Sequence, residues 1–268
     1  MKNTFNFSLL LLFSAGLLNF GAEAQEKTQL GDSTLAALSR LERPAAPNHI
    51  PYDYMVDFQI NELGGDAGDA PFSAVLSVRP TLVGDERVTV LSQSKEERPE
   101  MLKKMTSLET SQEDLAKEFW CEGKDNSLLN PDVSIEDFTV VSETDTEIVV
   151  RPNIEKLGDI MMSSDGFSEE GGVDRKMVRK LLEHLDGEFT LSKLDAHLKH
   201  FSIWMTRPMR VKLIAKIDEM ELTQSCEIAP NGVAYKTGTS MHLQVKALGT
   251  SVVQNMNVGV RDLKPNSQ

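Results

Sequence analysis

The chain has 268 residues, and its 28 lysines and arginines stand against 41 aspartates and glutamates, which gives a formal net charge of −13. This acidity argues against nucleic acids and anionic membrane surfaces as partners, because both would repel the protein. The length allows a sizeable core in one β domain or in two small ones.

Residues 1–24 have the pattern of a secretory signal peptide. Lys2 precedes an apolar run that extends to Phe20, and Ala22-Glu23-Ala24 supplies a small-x-small cleavage site. We predict cleavage after Ala24 and export to the periplasm. The alternative, an uncleaved membrane anchor, would need a longer apolar span. No later run is apolar enough to cross a bilayer, so we expect a soluble mature chain that does not span the membrane.

Residues 25–50 are predicted to contain a short helix and a linker. Leucines recur at helical spacing between residues 35 and 41, and prolines follow them and end the segment. From residue 51 to residue 262 the pattern predicts a single domain with helical insertions, and residues 263–268 are left as a tail.

The first half of this domain mixes strands with helices. Alternating apolar and polar residues predict strands at 52–60, 72–78, 87–91, 138–141 and 147–150. The apolar spacing changes from two residues to about 3.6 in two segments, near 96–122 and 172–185, which predicts amphipathic helices. Such helices need a sheet against which to bury their apolar side.

The second half, Gly187–Val260, has the pattern of one long antiparallel meander. Apolar residues alternate with polar ones through Pro208–Ile217 and predict a single strand there. They then change from odd to even numbers, which predicts a β-bulge or bend near residues 218–219. Asn231-Gly232 predicts a two-residue hairpin turn, because both residue types tolerate a positive φ.

The two cysteines, Cys121 and Cys226, leave two interpretations open. Two cysteines are too few for a disulfide scaffold, but export into an oxidising compartment allows a single bridge between them. The alternative is a pair of buried thiols that pack as small apolar groups.

The twelve methionines also leave two interpretations open. Those of the meander fall on its predicted strands, at Met205, Met209, Met220, Met241 and Met256. Methionine adapts its shape and is common at apolar surfaces that accept several partners, so a surface lined by it would suit a flexible acyl chain. The alternative is that these side chains fill the core.

No group of residues has the pattern of a catalytic or metal site. His184, His197 and His200 could be a metal set, but their spacing defines no ligand geometry, and we interpret them as surface histidines. The sequence has no Gly-x-Ser-x-Gly elbow and no glycine loop that would hold a phosphate. We therefore predict no catalytic residues, no metal and no cofactor, and a protein that is not an enzyme.

The order of these elements resembles that of the periplasmic lipoprotein-sorting carriers, the LolA/LolB-like family. The resemblance covers the layout from residue 32 to residue 260, together with the turn Thr206-Arg207-Pro208 and the strand Pro208–Ile217. It implies an α+β, mainly antiparallel β fold: a curved sheet or incomplete β-barrel covered by two or three amphipathic helices. The long segment 99–132 and the acidic surface depart from the family's pattern.

Two functions of different classes follow as hypotheses. The first is a periplasmic carrier or sensor that binds an apolar ligand, such as an acyl chain or a lipoprotein, in a half-barrel cavity. Strand periodicity predicts its lining as Tyr54, Phe58, Phe201, Ile203, Leu213 and Met241. The second is an accessory protein of the cell envelope that docks a basic protein partner through its acidic outer face.

Overall fold

A computed structural model describes most of the predicted domain. The described residues are 37–38, 41, 44–64, 71–94, 111–121, 137–153, 175–211, 215–247 and 249–266. The predicted signal peptide, most of the predicted N-terminal helix and the helical turn predicted before residue 111 therefore lie outside them. None of the helices in the described ranges has the length and hydropathy that a membrane span requires.

The described part of the chain contains eleven strands and two short α-helices. The strands are β1 (Tyr52–Leu63), β2 (Phe72–Val78), β3 (Val88–Gln93), β4 (Phe138–Glu143), β5 (Glu147–Pro152), β6 (Leu185–Ser192), β7 (Leu198–Met205), β8 (Met209–Val211), β9 (Ala215–Ile228), β10 (Ala234–Ala247) and β11 (Thr250–Pro265). The helices are α1 (Gln112–Phe119) and α2 (Arg175–Leu182), and a 3-10 turn spans Gly84–Glu86.

All eleven strands belong to one sheet whose neighbouring strands are antiparallel. The order is β3-β2-β1-β11-β10-β9-β7-β6-β5-β4, and β8 pairs with β9 beside this path. The last strand lies against the first, since Phe58 of β1 is opposite Val258 of β11. Within the described residues β3 and β4 form the two edges and do not pair with each other, so the sheet is open. The prediction of a mainly antiparallel β fold is confirmed.

The meander is also confirmed, because β6, β7, β9, β10 and β11 follow one another in the sheet. The single strand predicted over Pro208–Ile217 is wrong. Instead β8 pairs with the start of β9, with Met209 opposite Ile217 and Val211 opposite Ala215, so the chain reverses between them. Alternation cannot reveal this reversal, because three residues separate Val211 from Ala215 and both therefore keep the same parity.

The irregularity predicted near residues 218–219 is confirmed as a bulge in β9. Gln244 of β10 lies opposite Glu219, and the next residue, Val245, lies opposite Ile217. Asp218 is thus the extra residue, and an extra residue bends a strand and changes which side chains face the core. The switch of the apolar residues from odd to even numbers follows directly.

The two-residue turn predicted at Asn231-Gly232 is wrong in length. The amide N–H of Ala229 donates to the carbonyl of Val233 (2.9 Å), and that of Gly232 donates to the carbonyl of Ala229 (2.8 Å). The loop is therefore Pro230-Asn231-Gly232, in which Gly232 has a φ of 81°. Proline is favoured at the first central position of a type I turn. A glycine in the left-handed backbone conformation commonly completes such a three-residue loop.

Only parts of the two segments predicted to be helical, near 96–122 and 172–185, fall within the described residues. In α1, Leu115 and Phe119 are buried, and so is Trp120, which follows the helix. The second helix ends at Leu182, whereas the prediction extended it to residue 185. Leu185 is instead the first residue of β6.

The buried apolar residues form two clusters. Cluster A includes Phe189, Leu191, Phe201, Ile203, Leu222 and Met241, with Leu181 and Leu182 from α2. Cluster B includes Tyr54, Phe58, Ile60 and Phe72, with Leu115, Phe119 and Trp120 from α1 and the residue after it. Met256, which is partly buried, packs against both clusters.

Members of both clusters share one face of the sheet. Residues that lie directly opposite each other on neighbouring strands point to the same side. One such row crosses six strands and consists of Phe72, Ile60, Met256, Met241, Leu222 and Ile203. We call this side of the sheet the apolar face. Both helices contribute side chains to the clusters on it.

Candidate functional site

The structure places the predicted lining residues in two groups. Tyr54 and Phe58 belong to cluster B, whereas Phe201, Ile203 and Met241 belong to cluster A. The sixth predicted residue, Leu213, lies outside the described residues. The structure therefore does not bring the set together around one point, although the five described residues alternate on their strands in phase with the apolar face.

Five methionines lie on the same face, one on each of the strands β7 to β11. We define the methionine strip as Met205, Met209, Met220, Met241 and Met256. Met209 and Met241 are members of cluster A, and the other three are partly buried and pack against it. Met241 lies directly opposite Met256. The strip thus joins the interior of cluster A to the partly exposed centre of the sheet.

The centre of the apolar face is only partly covered. Ile217 and Met220 pack against cluster A and remain partly accessible. Val258, Val260 and Met256 do the same beside cluster B. Since contact with further apolar atoms would remove this accessible area from water, the centre of the face can gain free energy by accepting an apolar group.

Helix α1 is fastened to the sheet at its C-terminal end. Cys121 is joined to Cys226 of β9 by a disulfide, with 6.3 Å between their Cα atoms. The amide N–H of Cys121 donates to the carbonyl of Ala234 (2.9 Å). The indole N–H of Trp120 donates to the carbonyl of Pro47 (3.1 Å). This end of α1 is therefore held by a covalent bond as well as by hydrogen bonds.

Aromatic packing fixes the same end of α1 against cluster B. The ring of Phe119 lies 5.0 Å from that of Tyr54 and 5.5 Å from that of Tyr235, centroid to centroid. Trp120 packs edge-on against Phe119 at 4.7 Å. Contacts of this kind contribute about 0.5–1.5 kcal/mol each beyond the area that they bury. These contacts hold the C-terminal end of α1 against cluster B.

Helix α2 is held by non-covalent contacts in the described part of the chain. The Lys180 ammonium donates to the carbonyl of Arg210 (3.3 Å). Just after the helix, the carbonyl of His184 accepts hydrogen bonds from the amide (2.8 Å) and the hydroxyl (3.1 Å) of Thr206. These contacts tie α2 to β8 and to the connection between β7 and β8, beside the methionine strip.

Two polar side chains interrupt the apolar face near the disulfide. Gln224 of β9 is only 2% exposed, and its side-chain nitrogen lies 3.7 Å from the sulfur of Cys121 and 3.7 Å from that of Cys226. Lys236 of β10 lies directly opposite Cys226. Burial lowers the pKa of Lys236 from its ordinary 10.5 to about 8, and the carboxylate of Glu118 opposes this effect.

Neither residue was predicted from the sequence, for different reasons. Gln224 follows Met220 and Leu222 at the even spacing of the apolar residues, so a polar residue in that register was a visible signal. Lys236 could not be assigned to a face because a bulge follows it. Lys236 lies opposite Cys226, and Gly238 lies opposite the neighbouring residue Ser225. Thr237 is therefore the extra residue. From Gly238 onward the odd-numbered residues of β10 lie on the apolar face. The bulge shifts this phase, so the even-numbered Lys236 lies on the apolar face as well.

The three candidate histidines have separate partners. The ring nitrogen Nδ1 of His184 is 3.0 Å from the carbonyl of Arg207, and that of His200 is 3.3 Å from the hydroxyl of Ser225. His197 pairs with Asp195 in the turn between β6 and β7. Among the residues that the structure describes, no three histidines, cysteines or carboxylates are grouped to hold a metal ion.

Comparisons with known proteins give little further information. No family model matches the sequence, and no curated protein matches it. The crystal structure of a LolA superfamily protein from Nitrosomonas europaea is similar over 90% of this chain and 96% of that chain, with 10% sequence identity and a TM-score of 0.24. At this identity and TM-score, the similarity does not assign the chain to a family.

Proposed function

We propose that this chain is an exported, periplasmic protein that binds an acyl chain or a similar apolar ligand on the apolar face of its sheet, as a carrier or a sensor. The observation that carries the proposal is the methionine strip, which runs from the buried cluster A into a partly uncovered apolar surface. The layout that resembles the lipoprotein-sorting carriers leads to the same class of ligand. The proposed activity is binding, without catalysis and without a cofactor.

The physical basis of such binding is the removal of methylene groups from water. Each buried methylene contributes about 0.8 kcal/mol, so a chain of about a dozen methylenes gains on the order of 10 kcal/mol. Ordering the ligand and the side chains around it opposes this gain, with a cost of several kcal/mol. Methionine lowers that cost, because its unbranched side chain adapts to the ligand without a single required shape.

The attachment of the two helices indicates the side from which a ligand enters. Helix α1 is held by the bond between Cys121 and Cys226, so its C-terminal end cannot swing away from the sheet. Helix α2 is attached through hydrogen bonds such as that from Lys180 to Arg210. We therefore place entry to the strip beside α2.

The test is the binding of a fluorescent fatty acid to delipidated protein, followed by displacement with palmitate. We expect Met220→Gln and Met256→Gln to weaken binding, because each places an amide on the apolar face. The matched controls are Glu221→Gln and Asn257→Gln, whose side chains are exposed on the same strands and point to the other face. The proposal is wrong if no displaceable fluorescence appears and native mass spectrometry of the untreated protein finds no lipid.

One observation favours the second candidate, an accessory role in the cell envelope. Glu219, Glu221 and Glu227 are exposed along β9, and the whole chain carries a net charge of −13. Such a row attracts a basic protein surface. Replacing all three by glutamine should then weaken association with a basic periplasmic partner and leave fatty-acid binding unchanged. Equal association of the variant and the original chain at low salt would contradict this role.

A further inference from the structure

The disulfide lies between two polar side chains on the apolar face. Gln224 and Cys226 are alternate residues of β9, so their side chains point to the same side. Lys236 is the residue directly opposite Cys226 on β10, which places its side chain on that side as well. Cys226 itself is 5% exposed. An amide and an ammonium group thus flank a buried disulfide.

Gln224 has buried hydrogen-bond donors with weak acceptors. Its side-chain nitrogen contacts the sulfurs of Cys121 and Cys226, at 3.7 Å each. Sulfur is a weak acceptor, and a buried donor without a good acceptor is destabilising. A carboxylate or phosphate oxygen at this position would therefore be a better partner for the amide than the sulfurs are.

Lys236 has a charge that its surroundings compensate poorly. The described residues give it no salt bridge, and the charge that acts on it is the carboxylate of Glu118 on α1. Glu118 also acts on Tyr54, where the guanidinium of the buried Arg87 acts with the opposite sign. A carboxylate or phosphate beside the Lys236 ammonium would stabilise its charged form further.

The position of Lys236 also fits the proposed path of an acyl chain. On β10 the next members of the apolar face are Thr239 and Met241, and Met241 belongs to the methionine strip. Because Thr237 is the extra residue of a bulge, Lys236 and Met241 are four paired residues apart, opposite Cys226 and Leu222, which is about 14 Å at about 3.4 Å per residue. An extended acyl chain of ordinary length covers this distance, so a head group beside Lys236 leaves its chain on the strip.

We infer that Gln224 and Lys236 form a head-group subsite for an anionic acyl ligand, whose carboxylate or phosphate pairs with the ammonium and accepts a hydrogen bond from the amide. This inference rests on the proposed function, since it specifies the ligand class of the same apolar face. It adds that the ligand carries a negative charge at one end, a property that burial of an acyl chain alone does not require.

The test compares three ligands of equal chain length by calorimetric titration of delipidated protein: palmitate, the matching alkyl phosphate and the matching alcohol. We expect the two anions to bind at least about tenfold more tightly than the alcohol, because a charged hydrogen-bonded pair is formed away from bulk water. Lys236→Met should abolish this preference and leave the affinity for the alcohol unchanged. Lys236→Arg should keep the preference, and Gln224→Leu should reduce it.

Lys246→Met is the matched control, because Lys246 is exposed on the same strand and its loss removes the same charge. This variant should bind all three ligands like the original chain. Equal binding of palmitate and the alcohol, or a preference that survives Lys236→Met, would overturn the subsite and leave the proposed function intact. If none of the three ligands binds, the proposed function is wrong and the subsite is rejected with it. A preference for only one of the two anions supports the subsite and identifies its head group.

Discussion

The charge of Lys236 lowers the stability of the folded protein, although the proposed head-group subsite requires it. The folded pKa of Lys236, about 8, lies below the ordinary 10.5 because burial disfavours the charged form. Below about pH 8 the folded protein thus carries an ammonium group that would be better solvated in the unfolded chain. Between about pH 8 and 10.5 the unfolded state binds more protons, so this group makes stability rise with pH.

The first prediction concerns Lys236→Met. We expect the free energy of unfolding at neutral pH to rise by about 1–3 kcal/mol, since a poorly solvated charge is replaced by an apolar chain. The gain should shrink as the pH rises from about 8 to 10.5. Urea denaturation at the two ends of this range measures it, with Lys246→Met as the control. A gain that is the same at both pH values would show that the charge is not the cause.

The second prediction concerns Gly64, at the end of β1. A Cβ atom at this position would lie 2.0 Å from the carbonyl oxygen of Ser251, and the backbone has a φ of 98°. We expect Gly64→Ala to lower the free energy of unfolding by about 2 kcal/mol or more, because backbone atoms must move. At Gly249, φ is 88° and no atom lies within 4 Å of an added Cβ atom. Gly249→Ala should therefore lower the free energy of unfolding by only about 1 kcal/mol, through backbone strain alone. If urea denaturation shows the same loss of unfolding free energy in both variants, the clash with Ser251 is not the cause.

At the scale of elements, the disulfide determines which helix is fixed. Cys121 and Cys226 are separated by 105 residues in sequence, so the bond closes a long loop of the unfolded chain. It also ties the end of α1 to β9, next to the aromatic contacts of Phe119. The other helix, α2, has no covalent attachment among the residues that the structure describes. The two helices therefore differ in their freedom to move.

The third prediction is that the double variant Cys121→Ser/Cys226→Ser loses about 2–5 kcal/mol of unfolding free energy, because a long loop is no longer closed in the unfolded state. Thermal denaturation with and without a reductant measures this loss. The reductant should destabilise the original chain and leave the variant unchanged. A reductant that has no effect on the original chain would contradict the proposed role of the bond.

The strands were predictable where local alternation decides which side is buried. The strand at Phe72–Val78 was predicted with its observed bounds, and the bulge at Asp218 followed from a change of parity. The hairpin between β8 and β9 was not predictable, because its two arms keep the parity of one continuous strand. The turn at residues 230–232 was misjudged because Asn231-Gly232 was considered without Pro230. Local sequence patterns thus predict which side of a strand is buried better than they predict where the chain reverses direction.

At the scale of the whole molecule, the order of the strands was beyond the sequence pattern. Alternation placed Tyr54 and Phe201 on buried faces, but it could not show that β1 lies beside β11 and that the two residues fall in different clusters. Such pairing joins segments about two hundred residues apart, which no local period records. The five described residues of the candidate lining share one face but fall in two clusters, and their role as a lining stays a prediction.

We propose that the apolar face, and not the opposite face, receives an apolar ligand. Isotope labelling of the methionine methyl groups allows a direct test by nuclear magnetic resonance, because the methionine strip reports on one face. Met55 of β1 lies opposite Arg261 of β11 and alternates with residues of the apolar face, so it reports on the other face.

Titration of the delipidated, methyl-labelled protein with palmitate is therefore the most direct measurement. We predict that the resonances of Met220, Met241 and Met256 shift and saturate together, while that of Met55 stays in place. Strip resonances that do not move, or a shift confined to Met55, would contradict the account.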